Sequence, residues 1–274
     1  MSAPSDSPES SSLESTASPD LSEPTDALED TPSEPSDAPD DPRMNGEYIR
    51  TVSHPEGDVT LVGVVHDHPA SAYRARAVVR ERDPETVALE VPPLALALYR
   101  EYARGARSPP SFGGEMSAAA LAARERDADL VGIDAPTPEF CARLARNCWD
   151  ERADVETVRR LASGLASVTR HAAICRIAAT VAARTSLRVE VDAPVEHDCT
   201  RADPPNEQAR DEREQAERSR SFARAFDPPT SVRLRDETRE ECMAENLRSL
   251  RAAGDAVAIV GLDHLDAVAE RIER

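Results

Sequence analysis

The chain of 274 residues is long enough for one large domain or two small ones, and its 52 acidic and 33 basic residues give a net charge of −19. Phosphate binding depends on basic patches, so this charge balance excludes a nucleic-acid partner. The five cysteines contain no CxxC pair, which indicates reduced thiols in an intracellular protein and excludes a zinc ribbon.

The N-terminal segment differs in composition from the rest of the chain. Residues 1 to 42 contain seven Asp, five Glu and no Arg or Lys, and the other positions are mostly Ser, Pro and Ala. Such a segment cannot bury enough apolar surface to offset the entropy lost on ordering. We therefore predict a disordered acidic tail over residues 1–43 and a folded domain over residues 44–274.

From Glu47 onward, apolar runs of strand length alternate with helical patterns, which is typical of an α/β domain with a mostly parallel sheet and flanking helices. Most of the runs are continuously hydrophobic, as central parallel strands are. The predicted strands span residues 59–65, 86–91, 129–134, 187–191 and 256–261.

The segments between these strands predict helices of different kinds. Residues 71–83 and 114–127 have the pattern of short amphipathic crossovers. Residues 153–184 repeat apolar positions every three or four residues, which predicts a long central helical region, either one helix or two in line. Residues 206–226 are strongly charged, which favours a surface helix or arm with a solvated face. Residues 236–254 predict a last helix, closed by its final glycine.

No segment has the length and hydropathy of a membrane span. The longest apolar stretch, AAICRIAATVAA, is interrupted by Arg176 well short of the length that a bilayer requires. We therefore expect a cytoplasmic protein with no membrane span.

Unusual polar residues fall where the predicted parallel strands end. His66 in GVVHDH follows the first strand, Glu90 lies near the end of the second, Asp134 ends the third, and His264 in GLDH follows the last. Ligands of open α/β sheets bind at this carboxyl edge, so we expect these side chains to converge. A carboxylate inside a strand costs several kcal/mol unless a cation meets it. Arg239, in line with the apolar face of the last predicted helix, is the candidate cation for Glu90.

These segments carry a family resemblance. TLVGVVHDHPASAYRARAVVRERDPETVALEVPPLALALYREY, GGEMSAAALAARERDADLVGID, REECMAENL and VAIVGLDHLDAV, in that order, resemble the TraB/PrgY family of the Tiki superfamily. The resemblance spans roughly residues 58–270, apart from the middle helices, and implies a Tiki/erythromycin esterase-like α/β fold. The family pattern of two GxxH motifs, two glutamates and an arginine falls here on His66, His264, Glu90, Glu115 and Arg239.

The resemblance implies a metal-dependent, peptidase-like hydrolase. His66 and His264 would hold a divalent metal ion with Glu90 or Glu115, and these ligands suit manganese, cobalt, iron or zinc better than magnesium or calcium. The carboxylate that is not a ligand would act as general base, and Arg239 would stabilise the oxyanion. The substrate would be a peptide or small molecule, with a peptide or amide bond as the first expectation. The alternative is a non-catalytic peptide- or metal-binding regulatory protein, related to pheromone-shutdown proteins, and a homodimer is left open.

Structural explanations compete with several of these roles. His68 could replace or join His66 as a ligand, although we expect it to start the following loop. Glu115 lies at a helix start, where an acid also favours the helix dipole. Arg239 could be a structural clamp without a substrate role. The remaining histidines match nothing in the family pattern and are interpreted as structural or surface residues: His54, His171 and His197.

The composition also resembles that of proteins from halophilic archaea. The chain contains no lysine and is rich in Ala, Asp and Glu. Since salt screens the repulsion among excess acidic groups, we expect the domain to need molar salt for full stability.

Overall fold

The computed structural model describes residues 41–104, 112–185, 190–191 and 193–274. These residues form an α/β domain in which helices flank a five-stranded sheet. The strands are β1 (Ile49–Val52), β2 (Val59–Val64), β3 (Thr86–Leu89), β4 (Asp129–Gly132) and β5 (Ala256–Gly261). The helices are α1 (Pro69–Arg82), α2 (Leu96–Arg104), α3 (Gly114–Glu125), α4 (Pro138–Asp150), α5 (Val155–Arg184), α6 (Pro205–Ala225), α7 (Thr230–Leu250) and α8 (Leu262–Glu273).

The sheet has the strand order β1-β2-β5-β3-β4. β2, β5, β3 and β4 run parallel to one another, and β1 pairs antiparallel with β2 at one edge. The predicted α/β class with a mostly parallel sheet is therefore confirmed. β1 was not predicted, because it has only four residues and the polar Arg50 and Thr51 lie between its two apolar ends.

Helices cover both faces of the sheet. Every residue of β2 and β5 is buried, in agreement with their continuous apolar sequences. On one face, α1 and α3 pack on side chains such as Val62, Val87 and Ile259. On the other face, α7 and α8 pack on side chains such as Leu61 and Val260. The carboxyl edge of the sheet is thus framed by helices from both layers.

Four of the predicted strands correspond to β2, β3, β4 and β5, although β3 and β4 each end two residues earlier than predicted. Of the strand predicted at residues 187–191, residues 187–189 lie outside the described part of the chain. Glu190 and Val191 are described and belong to no strand. The predicted tail lies outside the described residues except for positions 41–43, where Arg43 is buried and its guanidinium stacks 3.4 Å from the ring centroid of Tyr73.

The five predicted helices are present as α1, α3, α5, α6 and α7, and the long central region is one helix of 30 residues. α7 continues into a 3-10 turn that ends at Gly254, whose φ of 123° favours glycine. The expectation that α6 has a solvated charged face is wrong for part of the helix, because Gln208, Asp211 and Glu212 are buried. None of the helices in the described ranges is long and apolar enough to traverse a bilayer.

Candidate functional site

The two GxxH histidines leave neighbouring strands at the same edge of the sheet. β2 and β5 are paired in parallel up to Val64 and Gly261, and the histidines follow these two ends. A Cβ on Gly261 would lie 3.7 Å from His66 Nε2, 3.9 Å from His264 Cδ2 and 3.5 Å from Glu90 Oε2. The two rings therefore converge on one point beside Glu90, as the strand ends predict.

His66 is held by a carboxylate from α3. Its Nδ1 lies 2.9 Å from Glu115 Oε1, and Glu115 Oε2 accepts the backbone N–H of Asp67 at 2.8 Å. The hydrogen bond to Glu115 raises the pKa of His66 to about 9, against the opposing effect of burial. Glu115 is only 3% exposed, so it orients the histidine loop in addition to lying at a helix start.

His264, in the first turn of α8, is held in a similar way. Its Nδ1 lies 3.1 Å from Glu240 Oε1, and the other oxygen of Glu240 pairs with Arg271 at 3.0 Å. Its Nε2 lies 3.7 Å from Glu90 Oε1 and 3.1 Å from Arg239 Nη1. Because a guanidinium only donates, Nε2 is the acceptor and Nδ1 carries the proton. Burial lowers the pKa of His264, but Glu240 and Glu90 outweigh it and the pKa lies above its ordinary value.

Arg239 from α7 joins the ends of β3 and β4. It donates to both oxygens of Asp134, each at 2.8 Å, and to Glu90 Oε1 at 2.7 Å. The second oxygen of Glu90 accepts the backbone N–H of Gly261 at 2.6 Å. Burial lowers the pKa of Arg239, yet Asp134 and Glu90 hold it above its ordinary value. The prediction that a cation meets Glu90 is confirmed, and Asp134 lies at the same edge, as expected. The pairing of Asp134 with Arg239 and the contact of Glu240 with His264 were not predicted.

A cavity of about 160 Å³ opens beside His66. One side of it is polar and carries carboxylates, including Glu90 and Glu115, while the other side is apolar and comes mainly from α2, α3 and α5. The apolar side includes Leu98, Tyr99, Tyr102, Met116 and Cys175. The site can therefore take a ligand with a polar and an apolar end.

The metal role of His66, His264 and Glu90 stays a prediction. Within the described ranges, only one group of three metal-ligating side chains brings its ligand atoms within 4.8 Å of one another, and it consists of His68, Cys199 and Asp211. His264 Nε2 instead contacts Arg239, and a metal shared by both histidines would have to replace that contact.

The His68 group was not predicted from the sequence. His68 was expected to start a loop, and Cys199 ends the EHDC run of residues 196–199, whose His197 was interpreted as a structural or surface residue. The sequence indications of this cluster were the two closely spaced histidines in HDH and the closely spaced His and Cys in EHDC.

No family model matches the chain, and neither a curated protein nor a solved structure was found to be similar to it. The resemblance to the TraB/PrgY family therefore rests on the motifs of the sequence itself.

Proposed function

We propose that the protein is a peptidase-like hydrolase of the TraB/PrgY type, which acts on a peptide or amide bond at the carboxyl edge of its sheet. One observation carries the proposal. Nδ1 of His66 contacts the buried carboxylate of Glu115, and Nδ1 of His264 contacts that of Glu240. In both histidines, Nε2 lies on the side of Glu90. Carboxylates in this position fix the tautomer and direction of an imidazole that binds a metal or moves a proton.

A divalent metal ion is part of the proposal, and the residues fit it as follows. Among the described residues, His66 Nε2 has no hydrogen-bond partner, and the space beside it is shared with Glu90 Oε2. His66 and Glu90 would hold the ion, and His264 would join them by giving up its contact with Arg239. Manganese, cobalt, iron or zinc would supply Lewis acidity and a bound water of lowered pKa.

The chain's own residues have separate tasks in this proposal. Glu115 holds the ring of His66 through Nδ1, which directs Nε2 to the space beside Glu90, where it would hold the metal ion. Arg239 pairs with both Glu90 and Asp134 and so offsets the negative charge of two carboxylates in a partly buried place. Oxyanion stabilisation by Arg239 stays a prediction, since its donors already lie on these partners and on His264.

The cavity indicates the part of the substrate that would bind. Its volume of about 160 Å³ is smaller than the roughly 300–1,000 Å³ of typical drug-sized ligand pockets. An apolar side chain of a peptide fits this space, with the scissile bond toward His66 and Glu90. The carboxylates on the polar side disfavour anionic groups at that end.

Gly261 offers a test that leaves every site side chain in place. Its φ of −57° and ψ of 144° suit alanine, and a methyl group there would meet ordinary contact distances while lying among His66, His264 and Glu90. Peptide-library cleavage in high salt, with each of the four metals, is expected to show turnover by the native chain. Turnover should be lost in Gly261→Ala and His66→Ala and kept in His54→Ala, whose histidine is exposed. No turnover by the native chain with any metal would overturn the proposal.

The second candidate function is peptide or metal binding without turnover. It is favoured by the contacts of Arg239, whose guanidinium already donates hydrogen bonds to Glu90, Asp134 and His264 without a ligand. In that case the native chain would bind a peptide or metal in the same assay, Gly261→Ala would weaken the binding, and no peptide would be cleaved.

A further inference from the structure

Three side chains from separate segments meet beside the N-terminus of α1. His68 directly precedes α1, Cys199 lies between α5 and α6, and Asp211 belongs to α6. His68 Nε2 lies 3.1 Å from Asp211 Oδ2 and 3.5 Å from Cys199 Sγ. His68 is fully buried and Asp211 is 9% exposed. A long-range cluster with this burial and composition is unlike a solvated polar surface.

We propose that His68, Cys199 and Asp211 bind one zinc-class divalent ion at a site separate from the two GxxH histidines. Thiolate, imidazole and carboxylate are ligands of zinc, whereas magnesium and calcium take oxygen ligands. Ligand atoms around a tetrahedral zinc lie about 3 to 4 Å apart, and the three atoms here lie within 4.8 Å of one another. On binding, side-chain rotations would have to shorten the longest of these separations.

The charges of the ligands also suit a buried ion. One thiolate and one carboxylate together carry two negative charges, which match a divalent cation and leave the centre neutral. On binding, the ion replaces the proton of the Cys199 thiol, which is released to solvent. The nearest further histidine, His197, has one nitrogen 2.9 Å from Gln215 Oε1 and the other 2.8 Å from the backbone oxygen of His66. The fourth position is therefore left to water.

The competing explanation is a cluster held by hydrogen bonds alone. His68 Nδ1 accepts the backbone N–H of Ala70 at 3.1 Å and so caps α1, which places the proton of the neutral ring on Nε2, toward Asp211. Metal binding at Nε2 moves that proton to Nδ1 and removes one capping hydrogen bond. A structural zinc site supplies far more free energy than one cap costs. The loss of this capping hydrogen bond therefore does not prevent metal binding.

An ion at this place would fix the loop that carries His66. It would tie the segment before α6, and α6 itself, to the chain between β2 and α1, and His197 from the same segment already contacts His66. The site uses none of the residues proposed for hydrolysis, so it can be tested without any assumption about turnover.

Cobalt substitution of the full chain tests the site, because thiolate ligation gives cobalt(II) a sulfur-to-metal charge-transfer absorption in the near ultraviolet. On titration with cobalt, the metal-stripped, reduced protein is expected to show this absorption, which saturates within about two equivalents per chain because the GxxH site can also take cobalt, and to lose it when zinc is added. The absorption should be absent in Cys199→Ser and the affinity for cobalt at least about tenfold lower in Asp211→Asn. It should be kept in His66→Ala and in Cys242→Ser, whose thiol is also partly buried but lies outside the cluster.

A second measurement covers the case in which the Cys199 variant fails to fold. X-ray absorption of the zinc-loaded native chain is expected to show one sulfur ligand together with nitrogen and oxygen ligands. A shell without sulfur, a titration without the thiolate absorption, or the same absorption in folded Cys199→Ser would each overturn the proposal. The cluster would then be a hydrogen-bonded clamp between α1 and α6.

Discussion

Arg239 on α7 donates from Nη2 to Glu90 Oε1 across 2.7 Å, at the point where β3 ends. The same guanidinium holds Asp134 at the end of β4 through two hydrogen bonds. The two carboxylate side chains are only 4% and 11% exposed. One cation thus offsets the negative charge of two poorly solvated carboxylates at the carboxyl edge of the sheet.

Arg239→Met is therefore expected to destabilise the domain by about 3–5 kcal/mol, because it leaves two poorly solvated carboxylates without a cation. Urea unfolding at neutral pH and constant salt measures the effect. The control is Arg233→Met on the same helix, whose exposed pairs with Glu151 and Glu237 should contribute less than about 1 kcal/mol. If Arg239→Met and Arg233→Met lose the same unfolding free energy, the Arg239 cluster contributes no more to stability than an exposed ion pair.

A buried ion pair joins α1 to α6, between Arg74 on α1 and Glu212 on α6. Arg74 donates to Glu212 at 2.6 and 2.9 Å and also to the backbone oxygen of Gly63 at 3.0 Å, and both side chains are almost completely buried. Glu212→Gln is expected to cost about 3–5 kcal/mol of unfolding free energy, because it leaves the guanidinium buried without an anion.

A double variant distinguishes the loss of the ion pair from simple loss of packing. Arg74→Met with Glu212→Leu removes both charges, and it should recover a large part of the stability that Glu212→Gln loses. The single variants of this double-mutant cycle are Arg74→Met and Glu212→Leu. If the stability lost by the double variant equals the sum of their two losses, the explanation is contradicted.

The sequence was sufficient to predict the sheet edge and part of the site. Continuous apolar runs identify β2 and β5, and the GxxH spacing places His66 and His264 just beyond them. The cost of burying Glu90 required a cation, and helical periodicity indicated Arg239. These predictions depend on local pattern or on a single energetic rule, so they need no knowledge of how the helices pack.

The remaining partners depend on packing that a sequence pattern does not contain. Glu240 was not linked to His264, since that contact follows from how α7 lies against α8. α6 was interpreted as solvated because about half of its residues are charged. Its buried face is formed by contacts across more than a hundred positions of the chain, in which Glu212 meets Arg74 and Asp211 meets His68.

The excess of acidic groups predicts a salt dependence of stability. Residues 1–42 hold 12 of the 52 acidic residues, and the rest of the chain has 40 acidic and 33 basic residues. The native domain therefore has an excess of negative charge, and molar potassium chloride should raise its thermal midpoint by screening the repulsion among these groups. Calorimetry across a potassium chloride series measures the midpoint. The increase should be smaller near pH 4, where many carboxylates are protonated. The same midpoint at low and high salt would contradict the comparison with halophilic proteins.

The hydrogen bond between His66 and Glu115 predicts a titration that can be measured residue by residue. The pKa of His66 is raised from 6.5 to about 9, and the first cause is the hydrogen bond to Glu115. In Glu115→Gln this pKa should fall toward 6.5, because a neutral amide stabilises the imidazolium less than a carboxylate does. The chemical shift of the His66 Cε1 proton, followed by NMR against pH in the metal-free protein, reports the change directly.

The same pair gives the sign of a pH effect on stability. Because the folded pKa lies above the unfolded one, the contribution of His66 is fully present below pH 6.5 and is lost as the pH rises through about 9. The effect should be modest, since the ring is 57% exposed. Glu139→Gln removes the same charge from the first turn of α4 and serves as the control, which should leave the titration of His66 unchanged. A native His66 that already titrates near 6.5 would show that Glu115 does not hold the ring in solution, and the orientation proposed for hydrolysis would lose its support.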